Sequence, residues 1–192
     1  MQVEGVRRRV QSGGLGRAPA PGFQDDGKEG GFMKQALVAY FSASGQTARL
    51  AKTLAAVVGG ELHEIRPQAP YDSADLDWRN PDSRSSREMK QPSARPPLAD
   101  TVADMGRYDT VFVGFPIWWY EAPRIVQTFL EQYDFSGKTV IPFATSGGSG
   151  MGKTDAILQA CCSPQTQWRP GRRMSSGESE LEVRSWVESL GL

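Results

Sequence analysis

From residue 35 onward, short runs of consecutive apolar residues alternate with stretches whose apolar positions recur every three or four residues. The first pattern suits a strand buried on both faces of a parallel sheet, the second an amphipathic helix. Ala36 to Phe41 (ALVAYF) predicts the first buried strand, and Leu50, Ala51, Leu54, Ala55 and Val58 then mark one helical face. Glu61 to Ile65 (ELHEI) predicts a short second strand, and Thr110 to Phe115 (TVFVGF) and Thr139 to Ala144 (TVIPFA) two further apolar ones. A short helix is expected around Leu98, Val102 and Met105. Later helices should bury Ile125, Val126, Phe129 and Leu130, then Ile157, Leu158, Cys161 and Cys162, and finally Val183, Trp186, Val187 and Leu190. Pro123 suits a first helical turn, where its missing N–H has no partner to lose. Gln165 to Trp168 reads as a weak, partly polar strand, fit for a sheet edge. Five strands alternating with five helices predict a doubly wound, five-stranded parallel α/β sheet in a single domain.

Two segments break this rhythm. Residues 1–32 hold Arg7 to Arg9 and many Gly and Pro without apolar periodicity, which reads as a disordered extension before a domain of residues 33–192. They contain no apolar stretch long enough for a secretory signal, and Glu4, Asp25, Asp26 and Glu29 argue against a transit peptide. Met33, directly before the first strand, is a candidate native start. Arg66 to Asp100 is a long excursion rich in Pro, Ser, Asp and Arg, the kind of insertion that is functional or disordered. Trp78 is its one large apolar residue well placed to anchor it.

Candidate chemistry gathers in three turns, each following a strand. The first is Ser42, Ala43, Ser44, Gly45, Gln46, Thr47. Strand, hydroxyl-rich turn and helix form the layout of a phosphate cradle, with free N–H groups and the positive end of the helix dipole facing the turn. A simple helix cap needs one hydroxyl and this turn offers three. It contains no Lys or Arg, so neutral donors are expected to bind. The second turn runs Pro116, Ile117, Trp118, Trp119, Tyr120, Glu121, an aromatic sequence unlike a solvent turn. The third is Thr145, Ser146, Gly147, Gly148, Ser149, Gly150. In doubly wound sheets ligands sit beyond the carboxyl ends of the strands, so the three turns should share one crevice. Gly147 to Thr154 (GGSGMGKT) also fits the phosphate-loop pattern GxxxxGK[ST]. No apolar strand ends in the acidic residue that would hold magnesium, which marks the match as coincidence. A dinucleotide fingerprint is absent, because the first turn lacks GxGxxG.

Composition narrows the function. The chain has 192 residues, 39% hydrophobic, with a formal net charge of zero. There is thus no electrostatic case for nucleic acid or an anionic membrane surface, and no run of apolar residues is long enough to span a bilayer. The two cysteines, Cys161 and Cys162, are adjacent, which is no disulfide framework and fits a reducing compartment such as the cytoplasm. Buried structural thiols are the expectation for them. The single histidine, His63, sits in a predicted strand and leaves no room for a multi-histidine metal site or a histidine-based triad.

Taken in order and at these spacings, SxSGxT at 42–47, GxPIWW at 114–119 and TSGGSG at 145–150 resemble the flavodoxin family. The resemblance spans about Lys34 to Leu192 and implies a sheet of strand order 2-1-3-4-5 with non-covalently bound FMN. It implies that Ser42, Ser44, Gly45, Gln46 and Thr47 hold the phosphate. Pro116, Ile117, Trp118, Trp119 and Tyr120 would flank the isoalloxazine ring, and Thr145, Ser146, Gly147, Gly148, Ser149 and Gly150 would follow its pyrimidine edge. Dedicated electron carriers of the family are strongly acidic and stabilise the half-reduced flavin through a peptide flip at a glycine. Beyond residue 33 this chain carries 17 basic and 18 acidic side chains, and PIWWYEAP has no glycine. The expectation is therefore two-electron transfer from NAD(P)H through FMN to a quinone or similar small acceptor, with Trp118, Trp119 and Trp78 walling the slot. The alternatives are a flavodoxin-type carrier fed by a protein donor, and a non-enzymatic flavin-binding module. No side chain stands out as an acid or base beyond Tyr120 and Glu121. A homodimer covering the aromatics is a further expectation.

Overall fold

The computed structural model describes residues 35–192; the extension read for residues 1–32 lies outside them. Five helices and a parallel sheet alternate: β1 Ala36–Tyr40, α1 Gln46–Val58, β2 Glu61–Glu64, α2 Arg84–Lys90, β3 Thr110–Pro116, α3 Arg124–Glu131, β4 Thr139–Thr145, α4 Thr154–Gln159, β5 Gln167–Trp168, β6 Arg172–Met174 and α5 Glu180–Ser189. The sheet order is β2-β1-β3-β4-β5, all pairings parallel, which is the flavodoxin-like order. The order reverses between β1 and β3, so a crevice opens beyond their carboxyl ends.

Alternation along the central strands makes two cores. Leu37, Ala39, Val111, Val113, Val140 and Ala144 face α3 and α4, burying Ile125, Phe129, Leu130 and Leu158. Ala36, Val38, Phe112, Ile141 and Phe143 face α1 and α5, burying Leu50, Leu54, Val183 and Trp186. Helix α5 starts at a reciprocal cap, in which the Ser179 hydroxyl and the Glu182 carboxylate each serve the other's backbone N–H. Among the described residues no helix is long and apolar enough to cross a membrane.

The structure departs from the sequence reading in five places, the first being that α4 ends at Gln159, which leaves Cys161 and Cys162 beyond the helix and half-buried rather than on its buried face. The fifth sheet position is filled by two short strands, β5 and β6, both paired to β4. Between the pairs Val140–Trp168 and Phe143–Arg172 the edge has one residue more than β4, as in a bulge. The N–H of Arg169 bonds the carbonyl of Val140, so the missing N–H of Pro142 falls on this same edge. Gly171 lies at the kink, where a Cβ would sit 2.5 Å from Met151 and 3.0 Å from Pro142. The helix expected around Leu98 to Met105 is only a 3₁₀ turn, Met105–Arg107, and Leu98 instead bridges Pro67. The excursion contains a helix of its own, α2. Trp78 does not anchor it: that residue is 66% exposed.

Candidate functional site

The turn after β1 enters α1 through Gly45, whose φ of 82° is a left-handed conformation that other residues adopt at a cost. Among the described residues, the N–H groups of Ser44, Gly45, Gln46 and Thr47 find no backbone carbonyl. They are the donor array that a helix start offers an anion. The three hydroxyls divide. Ser42 Oγ accepts the N–H of Ala48 at 3.1 Å and so caps the helix. Thr47 is buried, its hydroxyl 2.8 Å from that of Thr145, which ties α1 to the end of β4. Ser44 alone of the three lines the cleft.

The second turn is a two-residue hairpin. Trp118 and Glu121 exchange both backbone hydrogen bonds, at 2.8 and 3.0 Å, around Trp119 and Tyr120. Those two residues have φ of 46° and 68°, the type I′ geometry usually given to Asn-Gly. Trp118 is half-buried and meets Phe41 and Tyr71 edge-on, with ring centroids 5.6 Å from each. Trp119 and Tyr120 are exposed. Glu121 is committed to Arg124, with Nη1 to Oε2 at 2.8 Å, and is not a free acid.

In the third turn the Ser146 hydroxyl donates to the Ser149 carbonyl and accepts the Gly148 N–H, closing the loop on itself. Cβ atoms built on Gly147, Gly148 and Gly150 would meet nothing within 4 Å, so the loop borders open space. Thr154 is fully buried and donates to the Tyr120 carbonyl at 3.3 Å. The hydroxyl that a phosphate loop would turn to magnesium is therefore spent on packing.

Between these turns lie two adjoining cavities that share Ser44, Pro116, Ile117 and Trp118. One, of about 400 Å³, reaches from Ser44 and Gln46 along Thr145, Ser146 and Gly147 to Arg173, Ser175 and Ser176. The other, of about 540 Å³, runs under Trp119 and Tyr120 to Leu76, Trp78 and Ser85 of the excursion, with Ser149 on its rim. Both fall within the size range of small-molecule sites, about 300–1,000 Å³. An anion at the N–H array and a flat ring along Trp118 and the glycine loop fit the first. The sequence reading missed Arg173, from the resumed edge strand, and Ser175 and Ser176, from the loop that follows it; the Ser176 hydroxyl donates to Gln46. Only the pairing of β6 beside the end of β4 brings them here, and that register has no local signature.

The sequence profile of the flavodoxin family matches residues 35–190. The chain belongs to the flavodoxin family. It is similar to a candidate flavoprotein from Bacteroides eggerthii at 48% identity and a TM-score of 0.78, covering 82% of this chain and 98% of that one. A second candidate flavoprotein, from Bacteroides uniformis, is also 48% identical, with a TM-score of 0.76 and coverage of 80% and 97%. A flavoprotein from Lactobacillus acidophilus in complex with FMN shares the fold at 21% identity, TM-score 0.61, covering 80% of this chain and 99% of that one. No curated protein matches the chain.

The excursion of this flavodoxin-family protein is pinned rather than loose. The buried guanidinium of Arg124 donates to the Met89 carbonyl at 2.9 Å and the Glu88 carbonyl at 3.4 Å. It thus joins the end of α2 to the hairpin through Glu121. Tyr71 donates to Glu88 and lies under the Arg84 guanidinium, 4.0 Å from the ring centroid. Burial, and then the Glu88 hydrogen bond, push the Tyr71 phenol well above its ordinary pKa, so it stays neutral. Away from the cleft, burial lowers the pKa of His63 despite the nearby Asp100 carboxylate. Its ring stacks on Phe129 at 5.9 Å, a packing role.

Proposed function

We propose that this protein is an oxidoreductase that takes hydride from NAD(P)H and passes two electrons to a quinone or a similar small aromatic acceptor. Its cofactor is FMN, held non-covalently along the cleft. The observation that carries the enzymatic reading is the aromatic-walled slot of about 540 Å³ that adjoins the cleft at Trp118. A protein that only docks on a redox partner has no need of a cavity of that size beside its cofactor. Charge supports the same reading: 17 basic against 18 acidic side chains beyond residue 33 give little field to steer a protein partner.

FMN supplies the ring that accepts and donates hydride. The chain's own residues bind and orient. Ser44 and the N–H groups of 44–47 hold the phosphate. Trp118, braced by Phe41 and Tyr71, walls the ring, and the N–H groups of Gly147, Ser149 and Gly150 face its polar edge. Trp119, Tyr120, Leu76 and Trp78 line the slot and stack the acceptor against the cofactor. The donor's hydride brings two electrons and one proton; the acceptor leaves with both electrons and two protons, the second supplied by solvent at the slot mouth.

The test is an absorption spectrum of the purified protein, then NADH and NADPH oxidation with and without a quinone. A yellow protein with quinone-dependent oxidation is expected. A colourless protein that takes up no FMN in a calorimeter overturns the cofactor assignment. A yellow protein without turnover, showing a long-lived radical absorbance on photoreduction, is a one-electron carrier instead.

A further inference from the structure

The phosphate end of the cleft carries a cation that the turn itself lacks. Arg173 lines the same cavity as Ser44 and Gln46 and comes from β6, paired beside Ala144. Met174, its neighbour, points the other way into the core against α1 and α5, which fixes the strand's facing. Arg172 is engaged by Glu178, with Nη2 to Oε2 at 3.8 Å, and Glu178 also accepts the Ser175 N–H at 3.1 Å. Arg173 has no ion-pair partner among the described residues. Ser176 donates to Gln46, so the loop after β6 is tied to the start of α1.

We infer that Arg173 is a cofactor-binding residue that neutralises the FMN phosphate from the side opposite the α1 N–H array, and that it makes this protein select phosphorylated over unphosphorylated flavin. The inference rests on the cofactor reading above and deepens it. A dianionic phosphate facing only neutral donors gains from their dipoles; a guanidinium across the cavity adds a charge-assisted, fork-shaped contact. Arg173 is solvent-exposed, so its contribution is screened by salt.

The experiment titrates apo-protein with FMN and with riboflavin, which differ only in the phosphate, following quenching of flavin fluorescence at low and high ionic strength. Variants are Arg173→Gln, Arg173→Lys and, as a neighbouring control, Arg172→Gln, each checked for an unchanged thermal melt. Arg173→Gln is expected to weaken FMN about tenfold, leave riboflavin unchanged and flatten the salt dependence. Arg173→Lys keeps the charge without the fork and should retain an FMN affinity between those of wild type and Arg173→Gln, and Arg172→Gln should stay within about twofold of wild type. Equal losses for both flavins, or no loss for FMN, overturn the inference while leaving the cofactor site standing. Wild-type protein that binds neither flavin brings down the cofactor reading and this one with it.

Discussion

Single side chains in the first turn divide the work between holding a ligand and holding the fold. Ser44 faces the cleft, whereas Thr47 is locked to Thr145. Ser44→Ala should weaken FMN several-fold with an unchanged melt. Thr47→Ala strands the buried Thr145 hydroxyl and should cost about 1–3 kcal/mol of stability. Parallel FMN titrations and urea denaturation separate the two; identical behaviour would contradict the assignment. The hairpin offers a second contrast. Tyr120 is 71% exposed yet holds a left-handed φ. Tyr120→Gly relieves that strain while losing little packing, and should raise stability by about 1 kcal/mol, read from the urea midpoint. The motif residues were legible as a set, because hydroxyls and glycines after an apolar strand mark a helix start facing a ligand. Which hydroxyl faces the ligand was not legible, since the Thr47–Thr145 bond spans 98 positions.

Among the elements, the long insertion is a fixed wall. Helix α2 has the sequence RSSREMK, with no apolar stripe to announce it, and exists through its Ser83 cap and through contacts made from elsewhere. Arg124 supplies the decisive one: it is 5% exposed and donates to the Glu121 carboxylate and to the Glu88 and Met89 carbonyls. Arg124→Met leaves the Met89 carbonyl and the Glu121 carboxylate without their cation. It should cost about 3 kcal/mol in urea unfolding and speed proteolysis within residues 66–100. Protease resistance equal to wild type would show that the insertion is held by other means, such as the Arg95–Glu131 pair, whose Nη2 and Oε1 are 2.7 Å apart. The buried strands and α1, α3 and α5 were readable from periodicity, whose signal is strong when both sheet faces are covered. The broken edge was not, because a two-residue strand has no period and its kink answers Pro142 on a neighbour.

For the molecule as a whole, pH acts through the core that faces α3 and α4, against which Cys161 and Cys162 pack, as well as through the surface. Burial, and then the neighbouring Cys161, push the Cys162 thiol up to about 12. The folded state therefore keeps a proton that the unfolded chain releases at its ordinary thiol pKa. Its contribution is complete below about pH 8.5 and is lost as pH rises towards the folded value. Stability should fall between pH 9 and pH 10.5, and Cys162→Ala should flatten that fall; urea midpoints across the range check it. The same shift keeps both thiols slow towards alkylating reagents in native protein at neutral pH. Both rims of the sheet share a further property. At one, β2 is four residues long and carries Glu61 and Glu64; at the other, the ladder is cut in two between arginines at 169 and 172. Neither offers a neighbouring molecule a continuous row of unpaired amides on which to lay another strand. Among the described residues, a short rim carrying carboxylates and an interrupted one both disfavour the lengthening of the sheet by a second molecule.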